Sequence, residues 1–561
     1  MGIPDIQDGN KMIQDPKTKA NLFNIQFSSV FSIPSKLVKS LYKKPSFPTM
    51  SDIKVSRAGV FKLMANIKVH KATGPDGIPG RLLKYCAAEL ADTFTLLFQK
   101  SLEQGSVPQD WKKATIVPIF KKGDKSKVEN YRPISLTSIS CKLLEHIIHS
   151  NIMDHLDDHN ILTNAQHGFR QKRSCETQLI TTLNDFANCL DKKQQIDGIL
   201  LDFSKAFDKV DHQKLLLKLH NFGIQNSLLK WMESFLLGRQ QTVIVDGVES
   251  SPKPVLSWVP QGTVLGPLLF LIYINDITQK LSPGTILRLF ADDSFLYRVI
   301  NNSDDAKTLQ RDLALLQEWE LKNQMEFHPE KCLVLRITNK LKPILSNYSI
   351  HNTILSVTNS AKYLGVTIDN NLNFNDHVNN ISSKANSTLA FIQRNTYSCP
   401  KNVKEKCYKA FVRPILEYGC CVWDPHNKNQ IEQLEKTQKR AARFITQNYE
   451  LKSGNTRKNM ENLGWVTLQE RRARSKLNTL FKAKHGLIDI PTEDLKNSQR
   501  LTRRSSQNYF LPSSSVDGHK YSFFPSTIRL WNSLPSNIKC TNSVTAFKSS
   551  LNNITCLPQS V

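Results

Sequence analysis

Apolar and polar positions recur along this chain with two periods, and the switches between them locate its elements. Ile286-Leu287-Arg288-Leu289 and Ser294-Phe295-Leu296-Tyr297 read as short buried strands flanking Phe290-Ala291-Asp292-Asp293, so an acidic pair falls where a tight hairpin turns. Ile199-Leu200-Leu201 is a second apolar strand, ended by Asp202. Residues 114–120 are rich in β-formers and run into a Lys121-Lys122-Gly123-Asp124 turn. Over 305–322, Leu309, Leu313, Leu316 and Trp319 recur at a three-to-four spacing, which predicts a helix. Residues 259–270 read as a Gly-rich turn feeding an apolar helix, and 371–450 as a run of helices. In that run Lys436, Lys439, Arg440 and Arg443 share one face. That face is either solvated or a stripe that tracks a duplex backbone. Arg471, Arg472, Arg474, Lys476, Lys482 and Lys484 form a second basic helix, and 499–521 is Ser-rich and expected to be flexible.

The acidic positions carry the first chemistry. Adjacent carboxylates repel, and burying one without a partner costs several kcal/mol. A divalent cation would remove that cost; a solvated acidic turn is the plainer reading of Asp292-Asp293 taken alone. Asp202 is by itself either a cap for the helix that follows or a ligand. Carboxylates from the strand end and the hairpin, meeting at one sheet edge, would suit Mg²⁺, which takes waters and substrate phosphates as its other ligands.

Three motifs then stand in order: LDFSKAFDKVDH (201–212), VPQGTVLGPLLF (259–270) and FADD (290–293). Around them lie KATGPDGIPGRLLK (71–84), VPQDWKKATIVPIFKKGD (107–124), NYRPISL (130–136), HGFRQKRSCETQL (167–179), FHPEKCLVL (327–335), AKYLGV (361–366), KCYKAFVRPILEYGCCVWDP (406–425) and SFFPSTIRLWNSLP (522–535). Together they resemble the reverse transcriptases of non-LTR (LINE-type, jockey- and CR1-like) retrotransposons over most of the chain.

The resemblance implies an α+β right-hand polymerase with fingers, a palm whose antiparallel sheet bears the catalytic Asp residues, a helical thumb and a mostly helical C-terminal region. The expected division is a connector over 1–50, fingers over 51–200, palm over 200–370, thumb over 371–450 and a basic C-terminal region of unknown role over 451–561. The reverse transcriptase domain as a whole would span about 101–368. The implied activity is RNA-directed DNA synthesis by two-metal nucleotidyl transfer, with RNA template, DNA primer or target and deoxynucleoside triphosphates as partners.

By the same resemblance Asp202 and Asp292 bridge two Mg²⁺ ions (Mn²⁺ as substitute), Asp293 supports them and the Phe203 carbonyl completes the shell. Phe207 would exclude a ribose 2′-hydroxyl, although a core aromatic is the bland alternative. Arg132 would grip the triphosphate with its planar fork, assisted by Lys121, which equally reads as surface charge. Gln261 and Gly262 would meet the base pair and sugar, and Lys331 would protonate departing pyrophosphate. Tyr363 and Gly365 would grip the primer end. Gly74 and Asp76, in what is otherwise a plain turn, would support the template.

Two departures stand out. Trp258 occupies a position where this family has Gly, and His328 one where it has Asn. If that Gly serves a positive φ, Trp strains the backbone by about 1–3 kcal/mol; if it serves close approach, Trp blocks it. Intact elements also carry an endonuclease before the polymerase, so nicking is not expected of this chain, and the resemblance leaves open a separate endonuclease or an element RNA-binding protein as partner. A catalytically dead copy that only binds RNA or DNA is the alternative reading, and a template-independent nucleotidyl transferase a weaker third.

Composition narrows the classes further. The net charge of +26 across 561 residues favours a polyanionic partner. No 18-residue apolar run exists and residues 1–20 lack a signal-peptide core, which points away from membrane and secretion. The expected location is intracellular, the nucleus for target-primed synthesis, with the cytoplasm left open. Eleven scattered cysteines without a CxxC pair are expected to be reduced thiols.

Overall fold

The computed structural model describes residues 2–31, 44–259, 262–450, 455–493, 495–497 and 507–554. Two compact units emerge, each assembled from segments far apart in sequence: Met1–Phe169, Phe203–Lys280 and Leu315–His328 in the first; Arg170–Asp202, Leu281–Ala314 and Pro329–Val561 in the second.

The first unit is built on a sheet in which Lys113–Phe120 lies antiparallel to Tyr131–Leu136 and parallel to Gln240–Val245, with Val248–Glu249 beyond. Tyr131–Leu136 is therefore an edge strand. The helix Pro16–Ser28, capped by Asp15 and begun by a proline with no N–H to lose, lays Ala20, Phe23 and Phe27 onto Ile116, Tyr131 and Val243. Asn24 fixes that helix to the sheet, donating to Ser250 Oγ at 2.9 Å and accepting from Gln241 Nε2 at 2.9 Å. Residues 2–31, inside the stretch read from sequence as a connector, thus contribute to this core.

The second unit carries a sheet ordered Ser356–Thr358, Leu333–Thr338, Gln195–Leu201, Asp293–Val299, Thr285–Phe290. All pairings except the first are antiparallel. Its central strand, Gln195–Leu201, is almost wholly buried, and the one charge it buries, Asp197, is met by Arg336 and the Tyr348 hydroxyl. The helix Cys175–Asp191, started by a Ser174/Thr177 capping box, packs Leu179, Leu183 and Phe186 against the sheet. The same hydrophobic core continues through Leu389, Val412, Leu434, Leu477, Phe481, Trp531 and Phe547, so the helices after residue 371 share one interior with the sheet.

Two sequence expectations change here. The helix Leu468–Lys484 does not present a basic face: Arg472 and Lys476 are buried on Asp424, Arg471 pairs with Glu417, and Arg474 with Glu470. Burial of cations is tolerated because carboxylates from the Cys420–Trp423 turn and the Arg413–Glu417 helix meet them. Of the segment expected to be flexible, 499–506 lies outside the described residues, while 507–521 is tied down: Ser515 bonds Asp191, and the Trp531 indole donates to the Gln507 carbonyl at 3.0 Å. Lys436 and Arg440 remain exposed on their helix, with Lys439 and Arg443 half-buried beside them. Every described cysteine is a free thiol, and among the described residues no helix is long and apolar enough to cross a membrane.

Candidate active site

Sheet register assembles the acidic residues of the second unit. Phe290 and Asp293 are the last pair of the hairpin, leaving Ala291 and Asp292 as a two-residue turn. Such a turn requires φ > 0 at its first residue, and Ala291 takes φ 55° while 6% exposed. An alanine held there without glycine's freedom is strained. Ser294 pairs with Leu201 on the central strand, so the next step along the register sets Asp293 opposite Asp202. On the other side Leu333 pairs with Leu200, and continuing that register brings Lys331 across from Asp202, with Nζ 3.5 Å from Oδ2. Residues separated by nearly a hundred positions thus meet because three strands share one edge.

The electrostatics follow from this crowding. Asp293 reaches solvent at the sheet edge, but the protein mass around it removes much of its water, and its carboxyl is pushed up to about 6. Burial is the leading cause; the like charges of Asp292 and Asp202 add to it. Lys331 brings a cation to the cluster through its contact with Asp202. The hairpin is braced from behind by a group not visible as a motif: Arg288 Nη2 donates to Asp185 Oδ2 at 2.9 Å and its Nε to Tyr297 Oη at 3.0 Å, while Tyr297 donates to Asp185. Nothing local marks these three, since they lie on a helix and two strands.

No group of three or more His, Cys, Asp or Glu among the described residues is spaced to hold an ion unaided. The donor set is hard oxygen throughout, the kind that supplies part of a Mg²⁺ shell and leaves the rest to phosphates and water.

The first unit carries the other residues singled out from sequence. Arg132 is exposed on the edge strand, and Lys121 is exposed just past the end of the neighbouring strand. Gly262, at φ 111°, abuts that edge strand: a Cβ there would lie 2.5 Å from the Ser135 carbonyl oxygen. Close approach, which only glycine permits, therefore holds this loop against the Ser135 end of the strand that carries Arg132. Gln261 lies outside the described residues. Gly74 makes a similar approach, its Cβ position falling 2.6 Å from Ser138 N, and Asp76 Oδ1 accepts from Ile78 N at 3.3 Å to close the turn. The Phe207 ring stacks on Phe270 at 4.2 Å and 21°. Phe203 is buried and stacks on Phe327 at 4.4 Å, which leaves only its backbone to serve a ligand.

Glu145 was not legible from sequence. It is fully buried on the helix Ile139–Asp158, and its Oε2 accepts from Val264 N at 2.7 Å and Leu265 N at 3.0 Å. Burial raises its pKa, against those two bonds. An anion here caps the helix Leu265–Ile274 and fixes the loop that carries Gly262. A mid-helix Glu in an apolar context was the one available signal.

Trp258 does adopt the strained backbone, at φ 102°, and its indole is buried with Nε1 unpartnered. The ring joins the core formed with the Pro16–Ser28 helix, stacked 6.5 Å from Phe31. Its carbonyl accepts from His212 Nε2 at 2.9 Å.

Tyr363, expected to grip the primer, is buried in the second unit; its hydroxyl accepts from Gln178 Nε2 at 2.9 Å and its ring packs on Phe295. The exposed positions of that motif are Lys362 and Gly365, the latter in the turn between strands Ser360–Tyr363 and Val366–Asp369.

The reverse transcriptase (RNA-dependent DNA polymerase) family model matches residues 119–368. The "RNA-directed DNA polymerase from mobile element jockey" of Drosophila melanogaster is 27% identical over 76% of this chain and 48% of that protein, and its Drosophila funebris counterpart 30% identical over 69% and 43%. The chain spans about half the length of these relatives. Among solved structures, apo telomerase from Candida tropicalis truncated from its C-terminal domain aligns at a TM-score of 0.34 and 13% identity, covering 53% of this chain and 61% of that one. Residues 119–368 therefore carry a reverse transcriptase domain, and the chain as a whole is similar to polymerases of jockey mobile elements.

Proposed function

We propose that this chain is an RNA-directed DNA polymerase that adds deoxynucleotides to a primer 3′-hydroxyl on an RNA template. The observation that carries it is the convergence of Asp202, Asp292 and Asp293 at one sheet edge, with Asp293 pushed up to about 6 by burial and its like-charged neighbours. Like charges crowded in this way repel, and divalent cations relieve the repulsion. Asp202 and Asp292 would hold the two ions, with Asp293 beside them and the Phe203 carbonyl available as a further oxygen. Bound there, Mg²⁺ supplies a lowered pKa for the primer hydroxyl and neutralises triphosphate charge.

The chain's own residues do the rest. Arg132 grips triphosphate oxygens in pairs, which an exposed guanidinium on a rigid edge strand suits. The Phe207 ring, held flat by Phe270, excludes a 2′-hydroxyl. Gln261 and Gly262 meet the nucleotide, and Gly74 with Asp76 the template. Lys331, 3.5 Å from Asp202, gives its proton to departing pyrophosphate. The turn at Gly365 supports the primer. Catalysis of this kind rests on positioning and charge neutralisation.

A second reading has a specific observation behind it. Trp258 at φ 102° marks a strained position immediately before the 259–270 motif, as a decayed copy that only binds nucleic acid would carry.

Primer extension on an RNA template with Mg²⁺ and deoxynucleotides separates the two. The wild-type chain is expected to extend, and Asp292→Ala to lose extension while keeping its melting profile and RNA affinity. Extension by Asp292→Ala at the wild-type rate would overturn the site. A silent wild-type chain restored by Trp258→Gly would establish the decayed copy.

A further inference from the structure

The turn proposed to support the primer is held by a residue outside every element considered so far. Leu364 and Gly365 are the two central residues of the hairpin, at φ 44° and 87°. Both signs are those of a two-residue turn whose twist matches its strands. Gly365 adopts this freely, whereas Leu364 in the left-handed region is strained. A strained leucine at an exposed tip needs something to hold it.

Tyr418 does so from 54 residues downstream. Its hydroxyl donates to the Leu364 carbonyl at 2.9 Å. Its ring lies against Gly365 so closely that a Cβ on that glycine would stand 2.8 Å from Cε1. Burial, with the neighbouring Cys175 thiol, pushes the phenol up to about 12, so it remains a donor throughout the working pH range. Tyr418 is itself anchored. It ends the helix Arg413–Glu417, Gly419 reverses the chain at φ 64°, and the Trp423 indole donates to the Tyr418 carbonyl at 2.7 Å. Gly419 in turn packs on Val366, where a Cβ would meet Cγ2 at 3.2 Å. The elbow therefore clasps both sides of the turn.

A purely structural bolt would be buried. Tyr418 is 47% exposed, and the Gly365 it covers is exposed as well. Tyrosine offers an apolar face and a polar tip at such an edge.

We propose that Tyr418 is a positioning residue for the primer terminus: its hydroxyl and ring set the Leu364–Gly365 turn against which the primer 3′ end rests. This deepens the polymerase reading and rests on it. Misplacing reacting atoms by about 1 Å costs on the order of a hundredfold in rate. Loss of the clasp should thus appear in the chemical step rather than in nucleotide binding.

The test uses the full chain with Tyr418→Phe, which removes only the hydroxyl bond, and Tyr418→Ala, which removes both contacts. Single-nucleotide addition is measured with KM for deoxynucleotide and kcat separated. Binding is followed with 2-aminopurine at the primer terminus on an RNA template, a signal that needs no turnover. The expected result is a kcat lowered about tenfold in Tyr418→Phe and about a hundredfold in Tyr418→Ala, with KM for deoxynucleotide unchanged and 2-aminopurine emission altered in the same order. Unchanged kcat and emission in both variants would overturn the assignment; should Tyr418→Ala fail to melt cooperatively, Tyr418→Phe decides alone. A wild-type chain that binds primer without extending it would sink the polymerase reading, yet the emission comparison would still judge Tyr418. Absence of any primer binding would overturn both.

Discussion

Trp258 permits a test in which a smaller side chain is the more stabilising one. The residue is 2% exposed at φ 102°, with its indole N–H buried and unpartnered. Removing a buried Trp costs about 3–5 kcal/mol. Eliminating an unsatisfied buried donor returns about 1–3 kcal/mol. Trp258→Ala should therefore lose roughly 1–3 kcal/mol, since it keeps a Cβ in the same backbone conformation. Trp258→Gly loses the same packing but recovers about 1–3 kcal/mol of backbone strain, less about 0.4–1 kcal/mol for the freer unfolded chain. Gly should accordingly exceed Ala by about 0.5–2 kcal/mol. At about 2–4 °C per kcal/mol for domains of 150–250 residues, that is a melting point a few degrees higher. Thermal melts followed by circular dichroism measure it without depending on the lost indole. An Ala variant as stable as the Gly variant would refute the claim of strain. Primer extension by the same pair then separates the causes: if the backbone is the obstacle only Gly gains activity, and if the indole is, both do.

Glu145→Ala should destabilise the first unit by about 2–4 kcal/mol, because two buried N–H groups at the start of a helix lose their acceptor, whereas Glu145→Gln keeps an acceptor oxygen and should stay within about 1 kcal/mol of wild type. Urea midpoints decide, and equal losses in the two variants would mean the helix is not capped this way. Asp208, half-buried after the Asp202 strand, is raised to about 6, chiefly by burial and against the pull of Lys205. A carboxyl raised above its unfolded value near 4 leaves the folded protein holding more protons between those values, so its penalty is absent below about pH 4 and complete above about pH 6. Asp208→Asn should thus stabilise the chain at pH 8, by up to about 3 kcal/mol, and not at pH 4; a variant with the same stability as wild type at both values would contradict that.

Local pattern reaches far in this chain. The flanks of Asp292-Asp293 are strands, the pair lies at the hairpin, and 303–323 is a helix that buries Leu309, Leu313, Leu316 and Trp319. These are properties of short windows, in which side-chain period and turn chemistry suffice. Elsewhere the window misleads. The basic helix of 468–484 owes its charges to Asp424 and Glu417 at other positions, and Tyr363 is a core residue because a β-strand's alternation turns it inward at the end of the hairpin.

By itself the sequence determined the kinds of element, the acids that end them and, through motif order, the family they resemble. Only the tertiary structure decided which of those residues meet. Register along three strands set Asp293 and Lys331 opposite Asp202, glycine contacts seated the 262 loop on the Arg132 strand, and long-range bonds placed Glu145 under that loop and Tyr418 over the 364–365 turn. Strand pairing and packing depend on residues tens to hundreds of positions apart, and no local period encodes them.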